Sequence, residues 1–246
     1  MKIKSLIILF IISSISLFGA DNAAPLVNLS VAAVETPDQF VKTINIAIIL
    51  MLFVLAPTLL LMVTSFMRLI IVFGLLRQAM GLQQSPPNQI IISISLILTF
   101  FIMEPYAKKA WENGIQPYMN ETINYEVAFD ESVGPFKEFM IKNTREKDLA
   151  LFYRIKKEEN PKNIEDISLI LLMPAFVVSE LRTAFEIGFL VFLPFLVIDI
   201  IVASILMSLG MMMLPPVMVS LPIKLIFFII IDGWHLLIGN MAQSFK

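Results

Sequence analysis

Long apolar runs flank one charged, proline-punctuated stretch, and their order along the chain predicts its elements. Lys42 to Leu76 is the first apolar segment; as a helix rising roughly 1.5 Å per residue it exceeds the thickness of a bilayer core. Pro57 removes a backbone donor inside it and is expected to kink it. A polar link from Gln78 to Asn88, with Gly81 and Pro86-Pro87, predicts a turn before Asn88 to Met103 returns as the second apolar segment. The second apolar half starts at Ile167. Pro174 is expected to break or open a helix, Glu186 to Met207 forms a third segment containing Pro194, and Leu221 to Met241 a fourth.

Between these halves, Glu104 to Asp166 holds more than half of the 18 basic and of the 20 acidic residues. Its amphipathic runs, Pro135 to Ile141 and Asp148 to Ile155, predict a small helical domain facing water. Tyr153, Arg154, Lys156 and Lys157 are followed at once by Glu158 and Glu159, so a solvated helix face is preferred to a basic binding patch. Met1 to Ala20 has the layout of a signal peptide, with Lys2 and Lys4 ahead of an apolar run and small residues before Asp21. Residues 21–41 read as an extracytoplasmic lead-in, with a helix start at Thr36-Pro37-Asp38. The expected organisation is therefore a signal peptide over 1–20, the lead-in, an apolar helical hairpin over 42–103, an extracytoplasmic helical domain over 104–166 and a second apolar hairpin over 167–246. The fold class is an all-α membrane protein with two broken hairpins flanking that domain.

Composition agrees, since 58% of residues are hydrophobic and only 15% charged, too apolar for an ordinary soluble domain. A net charge of -2 gives no case for nucleic-acid binding, and the absence of cysteine excludes disulfides and thiolate chemistry. His235, the single histidine, cannot build a zinc site by itself. Neither a GxxxxGK phosphate loop nor a GxSxG elbow is present. The sequence therefore offers no catalytic residues, metal site or cofactor, and an enzyme is not expected. Trp111 and Trp234 suit interfacial anchoring.

Charges inside the apolar blocks carry more information. Arg68, Arg77, Arg182 and Lys224 face Glu180, Glu186, Asp199 and Asp232, four against four, which permits complete pairing of desolvated charges. Arg182 and Glu186 are placed to pair along one helix face, whereas Glu180 needs a partner from another segment or subunit. Arg68 and Arg77 fall on opposite sides of a continuous helix. Ion-paired glue is the preferred reading, and a proton relay through Asp199 and Asp232 the sharper alternative. Met207, Met211, Met212, Met213 and Met218 form the densest methionine cluster. Isolated methionines at helical spacing are usually core filler. Here three are consecutive at a break flanked by Gly210 and Pro215-Pro216, where adaptable side chains can converge on an axis and close a narrow pore.

The blocks PAFVVSELRTAFEIGF, LPFLVIDIIVASILMSLGMMMLPP and SLPIK…DGW, with RLIIVFGLLRQAMGLQQSPPNQI from Arg68 to Ile90, resemble the signature blocks of the FliP/SctR family of type III secretion export-gate proteins. That resemblance implies a multi-pass protein of the bacterial cytoplasmic membrane, within the flagellar basal body. It implies a pentamer, joined by FliQ-like and FliR-like subunits in a helical ring and meeting other membrane proteins of the export apparatus. It further implies a conduit for unfolded secreted substrates, with Met211, Met212 and Met213 as a gasket and Met207 and Met218 nearby. The signal peptide and sizeable outer domain look more like the flagellar branch than the injectisome one. Two other readings stay open: a secondary transporter or proton channel using the embedded carboxylates, and a scaffold with no pore.

Overall fold

A computed structural model describes residues 37–245, apart from 83, 84, 160, 162, 164, 165 and 212. The expected signal peptide, residues 21–36 of the lead-in and Met212 lie outside the described residues. The chain divides into two units, Met1–Leu52 and Phe53–Lys246. Among the described residues, nine α-helices and one π-helical turn make up the regular structure, with no strand.

Helix α1 (Pro37–Met62) begins in the first unit and continues through Pro57 without a break. The expected single segment to Leu76 instead parts at Val63–Ser65. There the Thr64 hydroxyl donates to the Leu61 carbonyl at 2.9 Å and accepts from the Phe66 N–H at 3.4 Å, replacing ladder bonds with side-chain ones. Helix α2 (Phe66–Ala79) follows and stops at Gly81, whose φ of 77° suits a residue without Cβ. The Leu82 N–H to Arg77 and Gly81 N–H to Gln78 bonds complete a Schellman stop.

Helix α3 (Asn88–Ala110) runs past the boundary expected at Met103 and through Pro105 into a π-turn, Trp111–Ile115, and a short α4 (Gln116–Met119). Its buried hydroxyls are satisfied on their own helix, Ser95 donating to Ile91 and Thr99 to Ser95. Helix α5 (Tyr125–Asn143) is capped by Asn124, which accepts from the Val127 N–H at 2.9 Å. Helix α6 (Glu146–Lys156) carries Glu146 and Asp148 in its first turn and Arg154 and Lys156 in its last, as the helix dipole favours.

Helix α7 (Leu169–Ser208) has 40 residues, about 60 Å of helix, and passes through both Pro174 and Pro194. The break expected at Pro174 does not occur, because Leu171, Leu172, Ala175 and Phe176 around it are all buried and tertiary packing holds the helix. Helix α8 (Pro216–Ile230) and α9 (Gly233–Gln243) divide the fourth apolar segment, bent by 64° at Asp232, whose φ is 50°.

Two cores organise the second unit. Leu69, Val72, Phe73 and Leu76 of α2, at the spacing of one helix face, meet Ile91, Ala184, Phe195, Phe228, Leu237 and Met241. The small residues of α7 let α2 approach: a Cβ on Gly188 would lie 2.2 Å from Leu75. Met103, Phe139, Met140, Ile167, Leu172, Phe176 and Phe245 form the other core. The polar stretch from Glu104 therefore shares its interior with α3 and α7. Among the described residues, three helices are long and apolar enough to cross a membrane, or four if α8 and α9 make one bent span.

Candidate functional site

The loop between α7 and α8 is shaped by its own sequence. Gly210, at φ 72°, ends α7 with the Met211 N–H to Leu206 and Gly210 N–H to Met207 pairing, the same stop that ends α2. Pro215 then precedes α8 and Pro216 occupies its first position, where a missing N–H costs nothing. Between these stops Met213 is 98% exposed and Met211 44%, while Met207 and Met218 on the flanking helices are 60% and 70% exposed. Core filler does not describe these four within the chain.

A buried ion pair pins the hairpin that carries this loop. Lys224 Nζ on α8 lies 2.6 Å from Asp199 Oδ2 on α7 and donates at 2.9 Å to the carbonyl of Ala79, the last residue of α2. Ser220, one turn before Lys224, donates to the other Asp199 oxygen at 2.5 Å. Lys224 is 2% exposed, so this cation is desolvated and its partners matter. The turn after α2 lies against the first turn of α8, since a Cβ on Gly81 would touch Val217 at 3.4 Å.

Arg68 and Glu180 form the second buried pair, joined through both carboxylate oxygens, Nε to Oε2 at 2.8 Å and Nη2 to Oε1. Arg68 also donates to Asn143 of α5 and to Ser244 beyond α9, and its guanidinium lies 3.8 Å from the centre of the Phe245 ring. A third cluster fastens α6 to α7. Ser179 donates to Asp148 Oδ2 at 2.6 Å and accepts the Arg145 N–H at 3.1 Å, while Arg145 Nη2 lies 2.6 Å from the same carboxylate. Burial opposes the charge on Asp148, but the Ser179 hydrogen bond and the Arg145 guanidinium outweigh it and hold the carboxyl below its ordinary value.

The remaining charges do not join a buried network within the chain. Arg182 and Glu186 pair at 2.6 Å on α7 but are 52% and 59% exposed. Arg77 donates to the Pro86 carbonyl and to Asn88 Oδ1 and has no carboxylate partner among the described residues. Asp232 is exposed at the α8–α9 bend, with no ion pair among the described residues. Within the chain, the eight embedded charges make two buried pairs and one exposed pair among the described residues, and Arg77 is held instead by a carbonyl and an amide oxygen.

Sequence reasoning missed Asn143, Ser244, Phe245, Ser220 and the Asp148 cluster. Ser220 was recoverable, lying four residues before Lys224 on one face, as was Arg145 three before Asp148. Asn143 and Ser244 gave no signal, being brought to Arg68 from 75 and 176 residues away.

A model of the FliP family matches residues 49–241. The chain belongs to the FliP family. It is 44% identical over 217 residues to the flagellar biosynthetic protein FliP of Bacillus subtilis, covering 88% of this chain and 98% of that one. The Caulobacter vibrioides FliP is 50% identical over 192 residues, with 78% and 72% coverage. The Aquifex aeolicus FliP is 45% identical over 210 residues, with 85% and 88% coverage. The FliP-family match contains both buried pairs and the methionine loop, while Ser244 and Phe245 fall just beyond it.

Proposed function

We propose that this chain is a core subunit of the flagellar type III secretion export gate, built with FliQ-like and FliR-like partners into a gated channel for unfolded export substrates. In this reading several copies, five by family resemblance, arrange around an axis in the bacterial cytoplasmic membrane and present Met211, Met212 and Met213 to the passage. The carrying observation is the 98% exposed Met213 on a loop stopped by Gly210 and Pro215 and held by the buried Lys224–Asp199 pair. An apolar, adaptable side chain held free of its own core is suited to meet copies of itself and to yield when a polypeptide passes.

Further support comes from the helix surfaces. Phe185, Phe189, Leu190, Ile200 and Ile201 of α7 are all more than half exposed, a continuous apolar face that calls for partner chains or lipid. Helix α7, at about 60 Å, is twice the thickness of a bilayer core of about 30 Å, so much of it must find protein surroundings. A titrating relay through Asp199 is disfavoured, since both of its oxygens are engaged by Lys224 and Ser220.

The chain contains no cysteine, so a single Met213→Cys substitution supplies a unique thiol. In the assembled complex, a short bifunctional thiol reagent is expected to link copies of that variant into covalent dimers. Monomers only, from complexes verified as assembled, would count against convergence of the loop on an axis.

A further inference from the structure

Arg68 is 3% exposed and its five N–H donors are all engaged. Nε and one Nη2 hydrogen meet Glu180, the other Nη2 hydrogen meets Asn143 at 3.2 Å, and Nη1 donates to the Ser244 carbonyl at 3.0 Å and hydroxyl at 2.9 Å. Glu180 neutralises the charge, yet it accounts for only two of these donors. Ser244 supplies two more, and its hydroxyl is oriented for the task by donating to the Met241 carbonyl at 2.8 Å. Phe245 covers the guanidinium face at 3.8 Å, where a buried cation gains from an aromatic ring. The same ring stacks on Phe139 of α5, centres 6.0 Å apart and planes 24° apart, and is 6% exposed in the core shared by α3, α5 and α7.

We propose that Ser244–Phe245 is a strap that completes the Arg68 site and thereby fastens α5 of the extramembrane region to the gate-bearing helix α7. Ser244 caps α9, its N–H donating to the Asn240 carbonyl at 3.0 Å, which leaves its own carbonyl and hydroxyl oxygens and the Phe245 ring to serve Arg68. Removing them leaves two donors of a desolvated guanidinium unpaired and uncovers its face. Phe139 of α5 then loses the ring stacked on it, and Asn143 is left to a guanidinium that is no longer fully held. The consequence reaches beyond the strap: α5 loosens at Phe139–Thr144 before the α2–α7 core is disturbed. The strap concerns docking of α5 and stands whether or not the methionine loop is a seal.

Hydrogen exchange of the purified full complex tests this, comparing the unaltered chain with one ended after Gln243, one ended after Phe245, Phe245→Ala and Phe245→Tyr. Ending after Gln243 or placing Ala at 245 is expected to speed amide exchange at Phe139–Thr144 at least tenfold. The chain ended after Phe245 and the Phe245→Tyr chain, which keep the strap and the ring, are expected to match the unaltered one. Failure of the Phe245→Ala chain to accumulate, alongside normal accumulation of Phe245→Tyr, reads the same way. Exchange changes confined to Asn240–Gln243, with α5 unaffected, would overturn the proposal, as would equal behaviour of the Ala and Tyr chains.

Discussion

Lys224 reaches Asp199 at 2.6 Å across the α7–α8 hairpin while donating to the last carbonyl of α2, so one ammonium ties three helices beside the exposed methionine loop. The pair is 3% and 25% exposed, and its loss leaves Asp199 with only Ser220.

Replacing Lys224 with Met is expected to destabilise the folded chain by about 3–5 kcal/mol, because an uncompensated carboxylate remains inside the hairpin. Combining it with Asp199→Leu is expected to recover much of that loss, since two apolar groups need no partner. Thermal denaturation of the solubilised complex for the two single variants and the double one checks the coupling. Simple addition of the single losses would deny it.

Gly114 lies in the π-turn where it presses on α5. A Cβ there would sit 2.7 Å from the Ser132 nitrogen and 2.8 Å from the Ala128 carbonyl oxygen, both backbone atoms unable to swing aside. Gly114→Ala is expected to cost about 1–3 kcal/mol and to separate the end of α3 from α5. Gly134→Ala, on α5 with nothing within 4 Å of its Cβ, serves as the control expected to be neutral or slightly stabilising.

Acid sensitivity should trace in part to Asp148. Its carboxyl is held below the ordinary value of about 3.9, so its stabilising contribution is complete above that value and fades as the pH falls through the lower folded one. Asp148→Asn is expected to be less stable than the unaltered chain at pH 7, with the difference shrinking towards pH 3. A constant difference across that range would show that the charge on Asp148 contributes nothing.

Much of the fold was legible where local chemistry decides it. Gly81 and Gly210 mark helix stops, Pro215-Pro216 marks the α8 start, and the i,i+4 spacing of Arg182 and Glu186 gives their pair. Pro174 misled in the opposite direction: it lies inside a continuous helix, because the buried residues around it outweigh one lost hydrogen bond. Long-range partners were illegible. Nothing local says that Arg68 meets Glu180, 112 residues away, or that Phe245 closes over it. The exposure of Met211 and Met213 was legible, because consecutive methionines between Gly210 and Pro215-Pro216 fall at a helix break rather than at core spacing.

Permeability of the assembled complex tests the central claim most directly. With Met211, Met212 and Met213 all changed to Ala, cells holding correctly assembled complexes are expected to admit ions or small dyes that the unaltered gate excludes, while assembly and the Lys224–Asp199 pin persist. A membrane that stays tight in that triple variant, with assembly verified, would contradict the methionine seal.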